Sequence, residues 1–542
     1  MDSIRLRQRR GPLARLRPLL ATLAALILLP VAAQAQGGYR DQEVSAIGLS
    51  LPVALHYDAI PQEPTERWVV QRWVLKDEQL EKVVGKKGVP KKVVTPTLDV
   101  VLIERTPDPE AEGTTSARKR DQDIVDDPRY PTNSVSRFLL RNKGGRWKIE
   151  DTETEKANRR AESFTPLRYT LKAGNPTDKY AAWAYAFEND ERIILFLGQA
   201  HQTMVDDHVK IWEKMLKGVE LKASVDPNAL IEEIKSKYYG GRKGEKYLDV
   251  DYRANVRAAL VKGWEADDTE NYIYVYSTKD EPLLRAIKKE LEAIRKWYVK
   301  LFPPVGEITA VSTVRICKDR DEYMAYGGPP SSGGYWNSAA EELVFYDYED
   351  KKGEGKGSGK ADTRIVLYHE AFHQYIYYST GELPPHSWYN EGTGDYFSGA
   401  KISGSKVTKI GVNPWRVAYI QQAIERDKYV PWSEIIKYEQ AEYYRNAGLC
   451  YAQGWSMIYF LRESKAAQKH EVWSQINDKY FNELKRAYNE ALEAYDDPGR
   501  GERAQAGLEA REKAVEFAFK GVNFSEIEEE WREFTLGLKV PK

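Results

Sequence analysis

A chain of 542 residues with 81 Lys and Arg against 82 Asp and Glu has a formal net charge of −1, and 42% of it is hydrophobic and 30% charged. That balance excludes a disordered polyelectrolyte and a polytopic membrane protein, and the length calls for two or three domains. The two cysteines, Cys317 and Cys450, exclude a disulfide scaffold and leave either one pair or two buried free thiols.

The first 35 residues differ from the rest. Six Arg between positions 5 and 17, an apolar run over residues 19–33 and the small residues Ala33 and Ala35 predict a cleaved secretory signal peptide, residues 1–35. The run is shorter than the roughly 20 residues a spanning helix needs, and Pro30 interrupts it, so no integral membrane segment is expected after cleavage. The mature chain is expected to be exported, either periplasmic or secreted. Without those six Arg and Asp2 its net charge is −6, and no long basic stretch remains, which argues against nucleic acid as a partner.

Residues 36–222 read as a β-rich α+β domain. Residues 68–75 and 98–103 are rich in β-branched and aromatic side chains, and residues 193–197 form a short apolar run suited to the inside of a sheet. Val205, Val209, Trp212 and Leu216 then recur at helical spacing, and the polar stretch at 106–133 reads as a surface loop. This pattern is similar to the lumenal PsbP-like α+β fold. The charged, partly helical segment 223–270 reads as a link.

A further domain starts near residue 271. Ile273 and Val275 predict a strand, and Asp280 predicts the cap of a helix that tolerates Pro282 in its first turn. Leu283, Ile287, Leu291 and Ile294 give that helix one apolar face. A strand over residues 310–316, a glycine-rich turn at 331–334 and an extended stretch ending at residues 343–346 follow. The glycine- and lysine-rich loop 351–360 is expected to be mobile, and a strong helix starts near Asp362. Residues 401–542 read as a helical C-terminal part, whose last helix carries a capping box of Ser525 and Glu528 and an apolar face of Ile527, Trp531 and Phe534.

The chemistry concentrates at His369-Glu370-Ala371-Phe372-His373. Residues four apart share a helix face, so both imidazoles can reach one ion at about 2.0–2.1 Å, with Glu370 beside it. With seven histidines in the chain, the pattern arises by chance in roughly one such chain in a hundred. Glu391 lies 18 residues after His373, and a turn through Pro384-Pro385 followed by an antiparallel helix would return it to the same point. Two His and one carboxylate make the three-ligand set of catalytic zinc. Asp395, one turn beyond Glu391, is placed to accept the free N–H of a ligand imidazole.

His-Glu-x-x-His followed by Asn-Glu-Gly-x-x-x-Asp resembles the gluzincins, the clan of thermolysin and the zinc aminopeptidases, over roughly residues 270–465. The wording around Glu391 looks closest to a bacterial group of peptidase-like proteins of unknown substrate. The resemblance implies a zincin-like catalytic core, residues 271–400, built from a small mixed sheet and the active-site helices. It implies one Zn2+ per chain on His369, His373 and Glu391, with Asp395 supporting an imidazole. Peptide or protein substrates would be hydrolysed by a zinc-bound water with Glu370 as general base. Tyr451, in a segment that resembles the Tyr-x-x-Gly of the zinc aminopeptidases, would support the oxyanion, or else be a core tyrosine. Gly334, Tyr335 and Trp336 would precede or form the edge strand that receives the substrate backbone. The family's glycine-rich acidic exopeptidase motif is missing, which leaves aminopeptidase activity without support.

The alternative is an exported binding or envelope protein whose zincin domain is inactive, occluded by the 351–360 loop, or acts on something other than peptides. His201 and His208, with Asp206 and Asp207, read better as a polar loop entering a helix than as a metal site. His386 reads as a loop histidine beside the ligand helix, and the charged runs at 483–512 as solvated helix faces.

Overall fold

The computed structural model describes residues 38–541 except 63–65, 67, 76–94, 107–130, 224–225, 305, 331, 339, 348–358 and 496–497. The expected signal peptide, most of the 106–133 loop and most of the 351–360 loop lie outside the described residues. The chain divides into two units, residues 1–58 with 68–225 and residues 59–67 with 226–542. The fold is α+β, with a β-rich N-terminal part and a helical C-terminal part.

The first unit holds β1 (Tyr39–Val44), β2 (Leu49–Ala54), the first half of β3 (Tyr57–Ile60), β4 (Val69–Leu75), β5 (Thr97–Glu104), α1 (Val135–Asn142), β6 (Trp147–Thr154), β7 (Thr165–Ala173), β8 (Tyr180–Glu188), β9 (Arg192–His201), α2 (Val205–Leu216) and β10 (Glu220–Leu221). Seven strands form one sheet in the order β3-β4-β5-β9-β8-β7-β6, antiparallel from β4 to β6, and β1-β2-β10 form a second. The apolar run Ile193 to Leu197 lies on central β9 and is buried throughout, because a strand covered on both faces has no solvent side to alternate with. Helix α2 packs through Ile211, Trp212, Met215, Leu216 and His208, while Val205 and Val209 are only half-buried.

The second unit continues with α3 (Pro227–Tyr239), α4 (Val250–Ala258), β11 (Glu265–Asp268), β12 (Tyr272–Tyr276), α5 (Glu281–Leu301), β13 (Ser312–Cys317), α6 (Arg320–Ala325), β14 (Gly334–Asn337), β15 (Glu342–Tyr346), α7 (Gly359–Ser379) and α8 (Ser387–Ser398). The segment read from its charge as a link is folded into this unit from Asp226 onward. Three of its charges are turned inward: Arg253 is fully buried, pairs with Asp268 and donates to the carbonyls of Leu248, Thr269, Glu270 and Tyr272, and Arg257 holds the other oxygen of Asp268.

The five-stranded sheet runs β11-β12-β13-β15-β14. β12, β13 and β15 are parallel, and the two ends are antiparallel. Parallel neighbours need a crossover, and α5 supplies the one between β12 and β13. Asp280 caps it by accepting from the Leu283 N–H at 2.9 Å, and Leu283, Ile287, Leu291 and Ile294 are buried, as the spacing predicts. Tyr298 of α5 donates to the Tyr368 carbonyl at 2.9 Å, and Tyr375 donates to the Phe302 carbonyl at 2.7 Å, which locks α7 against α5.

Beyond α8 lie the hairpin β16 (Ala400–Ser403) and β17 (Lys406–Ile410), then α9 (Val417–Glu425), α10 (Trp432–Ile435), α11 (Gln440–Arg445), α12 (Ala447–Glu463), α13 (Lys465–Lys469), α14 (Ile476–Leu492), α15 (Arg500–Ala518) and α16 (Phe524–Leu536). The capping box expected at Ser525 and Glu528 does not form. α16 begins at Phe524, so its cap is Asn523, which accepts from the Glu526 N–H, and Glu528 instead accepts from the Trp432 N–H at 2.7 Å. Cys317 and Cys450 are both buried and free. Among the described residues no helix is long and apolar enough to cross a membrane.

Candidate metal centre

Helix α7 carries His369 and His373 on one face, and α8 runs back beside it to present Glu391. The three side chains converge: His369 Nε2 is 3.1 Å and His373 Nε2 is 3.2 Å from Glu391 Oε2, and the two nitrogens are 2.9 Å apart. An ion with tetrahedral bonds of 2.0–2.1 Å separates its ligand atoms by about 3.3 Å. The three contacts are close to one face of such a tetrahedron. Among the described residues this is the one group of His, Cys, Asp and Glu able to hold a metal.

The close approach has a steric requirement. A Cβ at Gly394 of α8 would lie 2.9 Å from His369 Nδ1, so only glycine lets the helix reach the imidazole. On the opposite side of α8, a Cβ at Gly454 of α12 would lie 3.1 Å from the Trp388 carbonyl oxygen. Two of the glycines flanking the motif residues therefore set helix spacing.

The remaining ring nitrogens are held from behind. His369 Nδ1 faces Asp395 Oδ1 at 3.3 Å, and His373 Nδ1 faces Asn390 Oδ1 at 3.1 Å. Asp395 is in turn fixed by Arg416, which donates from Nε to Oδ2 at 2.7 Å, and by Asn413. With the Nδ1 protons on these acceptors, both Nε2 lone pairs and one carboxylate oxygen point at one another. That arrangement repels itself unless a cation or protons lie between. Glu370, Glu391 and Asp395 carry three negative charges against one on Arg416, a balance of −2 with both imidazoles neutral. Burial alone would lower His369 and His373, yet the neighbouring carboxylates raise both, and the imidazoles hold Glu391 well below the usual carboxylate range against its own burial. The donor set therefore fits zinc, with His369, His373 and Glu391 as the residues that would hold it.

Glu370 is half-buried beside this cluster, and its Oε2 accepts from the Trp336 backbone N–H at 3.0 Å. Burial raises its pKa, which suits a base that must also release its proton. Trp336 belongs to β14, one of the two edge strands of the sheet, and Gly334 packs within β14 against Val366 and Phe345. The expected substrate strand thus lies directly beside the expected base. Tyr335 of the same strand packs edge-on to Tyr323.

Tyr451 stands on α12 with its ring stacked over that of His369, centroids 6.3 Å apart, and with the Arg416 guanidinium on its face at 4.9 Å. Arg416, Asn413, Asn390 and Tyr444 touch the cluster without having been expected from the sequence; only Asn390, adjacent to Glu391 in the motif, carried a local signal. Tyr444 donates to Glu391 Oε1 at 2.6 Å.

Three other histidines do structural work. His208 is buried with Nδ1 2.7 Å from the Tyr57 hydroxyl, and His201 Nδ1 bonds Thr203. His386 caps the start of α8, where its backbone N–H and Nδ1 both engage the Tyr480 hydroxyl.

Residues 365–480, which span this centre, match the family described as "Protein of unknown function (DUF1570)". No curated protein matches the chain. Among solved structures, the solution structure of cyanobacterial PsbP (CyanoP) from Synechocystis sp. PCC 6803 is similar at 10% identity and a TM-score of 0.22, over 34% of this chain and 94% of that one.

Proposed function

We propose that this protein is an exported zinc-dependent metallohydrolase, a peptidase of the gluzincin type. The observation that carries this reading is the convergence of His369 Nε2, His373 Nε2 and Glu391 Oε2 within 3.2 Å, with Asp395 and Asn390 behind the two rings. Three protein ligands, one short of a structural zinc site, are the set that leaves a position for chemistry. When bound, zinc would supply Lewis acidity and lower the pKa of a water toward about 7.

The chain's own residues supply the rest. Glu370 takes the proton from the attacking water and delivers it to the leaving nitrogen of the scissile amide. Its hydrogen bond to Trp336 N–H fixes one oxygen, leaving Oε1 to move the proton. β14, at the sheet edge, offers the substrate backbone a strand to pair with. Arg416 and Tyr451 close the far wall beside His369. The signal-like N-terminus is the ground for export.

The test is metal content together with hydrolysis of a mixed peptide library, on residues 36–542 and on the Glu370→Gln variant. One zinc per chain in both, with cleavage by the parent alone, is the expected result. Zinc in both and cleavage in neither would favour an exported binding protein or a non-peptide substrate, and zinc in neither would end the proposal.

A further inference from the structure

Glu391 has two oxygens, and they have different partners. Oε2 faces both imidazoles, at 3.1 and 3.2 Å. Oε1 accepts from the Tyr444 hydroxyl at 2.6 Å. Tyr444 comes from α11, the short helix between α10 and α12, and 39% of it is exposed. Its ring stacks on Tyr451 at 6.0 Å between centroids with an 18° tilt. Tyr451 is itself stacked on His369.

We infer that Tyr444 is a positioning residue that makes Glu391 a one-oxygen metal ligand. This rests on the metal reading of the site. A carboxylate with both oxygens free can close on an ion with two bonds and fill a position that substrate or water needs. A short phenol hydrogen bond on Oε1 occupies one of that oxygen's two lone pairs and holds the carboxylate plane with Oε2 toward the imidazoles. The Tyr444–Tyr451–His369 stack then ties the carboxylate ligand to one imidazole ligand through ring contacts. In this arrangement Tyr451 braces Tyr444, a task distinct from the oxyanion role the sequence resemblance implies for it.

The experiment compares the mature chain with Tyr444→Phe. Zinc affinity is measured by competition with a chromophoric chelator, the coordination number by the visible absorption of the cobalt(II)-loaded protein, and stability by thermal unfolding of the metal-free forms. Phe keeps the ring stack and removes only the hydroxyl. Expected are a roughly tenfold or greater loss of zinc affinity, a weaker cobalt band as coordination rises above four, and an unchanged metal-free unfolding midpoint. Equal affinity and an identical cobalt spectrum in both proteins would overturn the inference while leaving the metal site standing. A loss of affinity matched by a fall in the metal-free midpoint would also overturn it, because Tyr444 would then be serving the fold. Failure of the parent chain to bind zinc or cobalt would defeat the metal reading itself.

Discussion

Buried Asp395 and half-buried Arg416 form a pair whose carboxylate serves two partners: Oδ2 takes the Arg416 Nε–H at 2.7 Å while Oδ1 faces His369 Nδ1 at 3.3 Å. Asp395 is 1% exposed, so its charge would be costly without the guanidinium. Without the arginine the carboxylate keeps only its Asn413 partner and can turn from the imidazole, which would undo the tautomer that aims Nε2 at the proposed metal position. Arg416→Met should lower zinc affinity about tenfold or more, with Arg416→Lys intermediate because an ammonium cannot bridge as a planar fork does. Chelator competition on the three proteins decides it, and equal affinities would show that Asp395 orients His369 unaided.

Glu370 and Glu391 should separate cleanly by substitution. Glu370 touches neither imidazole by hydrogen bond and takes the Trp336 N–H, so Glu370→Gln should keep one zinc per chain and lose about 10²–10⁴ in turnover. Glu391→Ala removes a proposed ligand and should lose much of the zinc itself. Metal analysis and peptide hydrolysis on both variants check this. Full activity in Glu370→Gln would mean that another group accepts the proton.

Much of this was legible in the sequence, for identifiable reasons. Amphipathic elements declare themselves: Leu283, Ile287, Leu291 and Ile294 line the buried side of α5, and the Ile193 to Leu197 run became the heart of β9. Short-range motifs do so too, since His369 and His373 are one helical turn apart and Asp395 is one turn from Glu391. α8 was readable only through its motif, because burial from Ser387 to Ser398, Asn390 excepted, leaves it no polar face and no period. Tyr444, Arg416 and Asn413 reach the site from loops and helices whose distance in sequence fixes nothing. Asn523 displaced Ser525 as a cap because both are good caps and tertiary packing of Glu528 on Trp432 chose between them.

Gly394 should be irreplaceable. A Cβ there would sit 2.9–3.1 Å from three atoms of the His369 ring, and that ring is held on its other side by Tyr451. Gly394→Ala should therefore displace His369, lower zinc affinity and cost on the order of 1–3 kcal/mol of stability from overpacking. Ala at Gly404, which has no atom near its Cβ site, gives a comparison that tests turn geometry alone. Zinc content and thermal unfolding read both variants, and a Gly394→Ala protein with parental zinc affinity would contradict the steric argument.

The first unit should carry its own acid sensitivity at His208. The ring is fully buried, Tyr57 engages Nδ1, and Trp212 donates to that same hydroxyl at 3.0 Å. Burial, with a smaller push from His56, lowers the His208 pKa to about 4. The unfolded chain titrates near 6.5, so between about pH 6.5 and 4 it takes up a proton that the folded unit refuses. Stability is therefore greatest above pH 6.5, declines as pH falls, and stops declining from this source below about 4, a total on the order of 3 kcal/mol. Unfolding free energies of the mature chain and of His208→Gln at pH 7.5, 5.5 and 4.5 isolate this contribution, since the carboxylates and His386 are common to both. The gap in stability between the two proteins should narrow or reverse as pH falls, because glutamine takes no proton, and a gap constant across the three pH values would show that His208 is protonated in the folded unit as readily as in the unfolded chain.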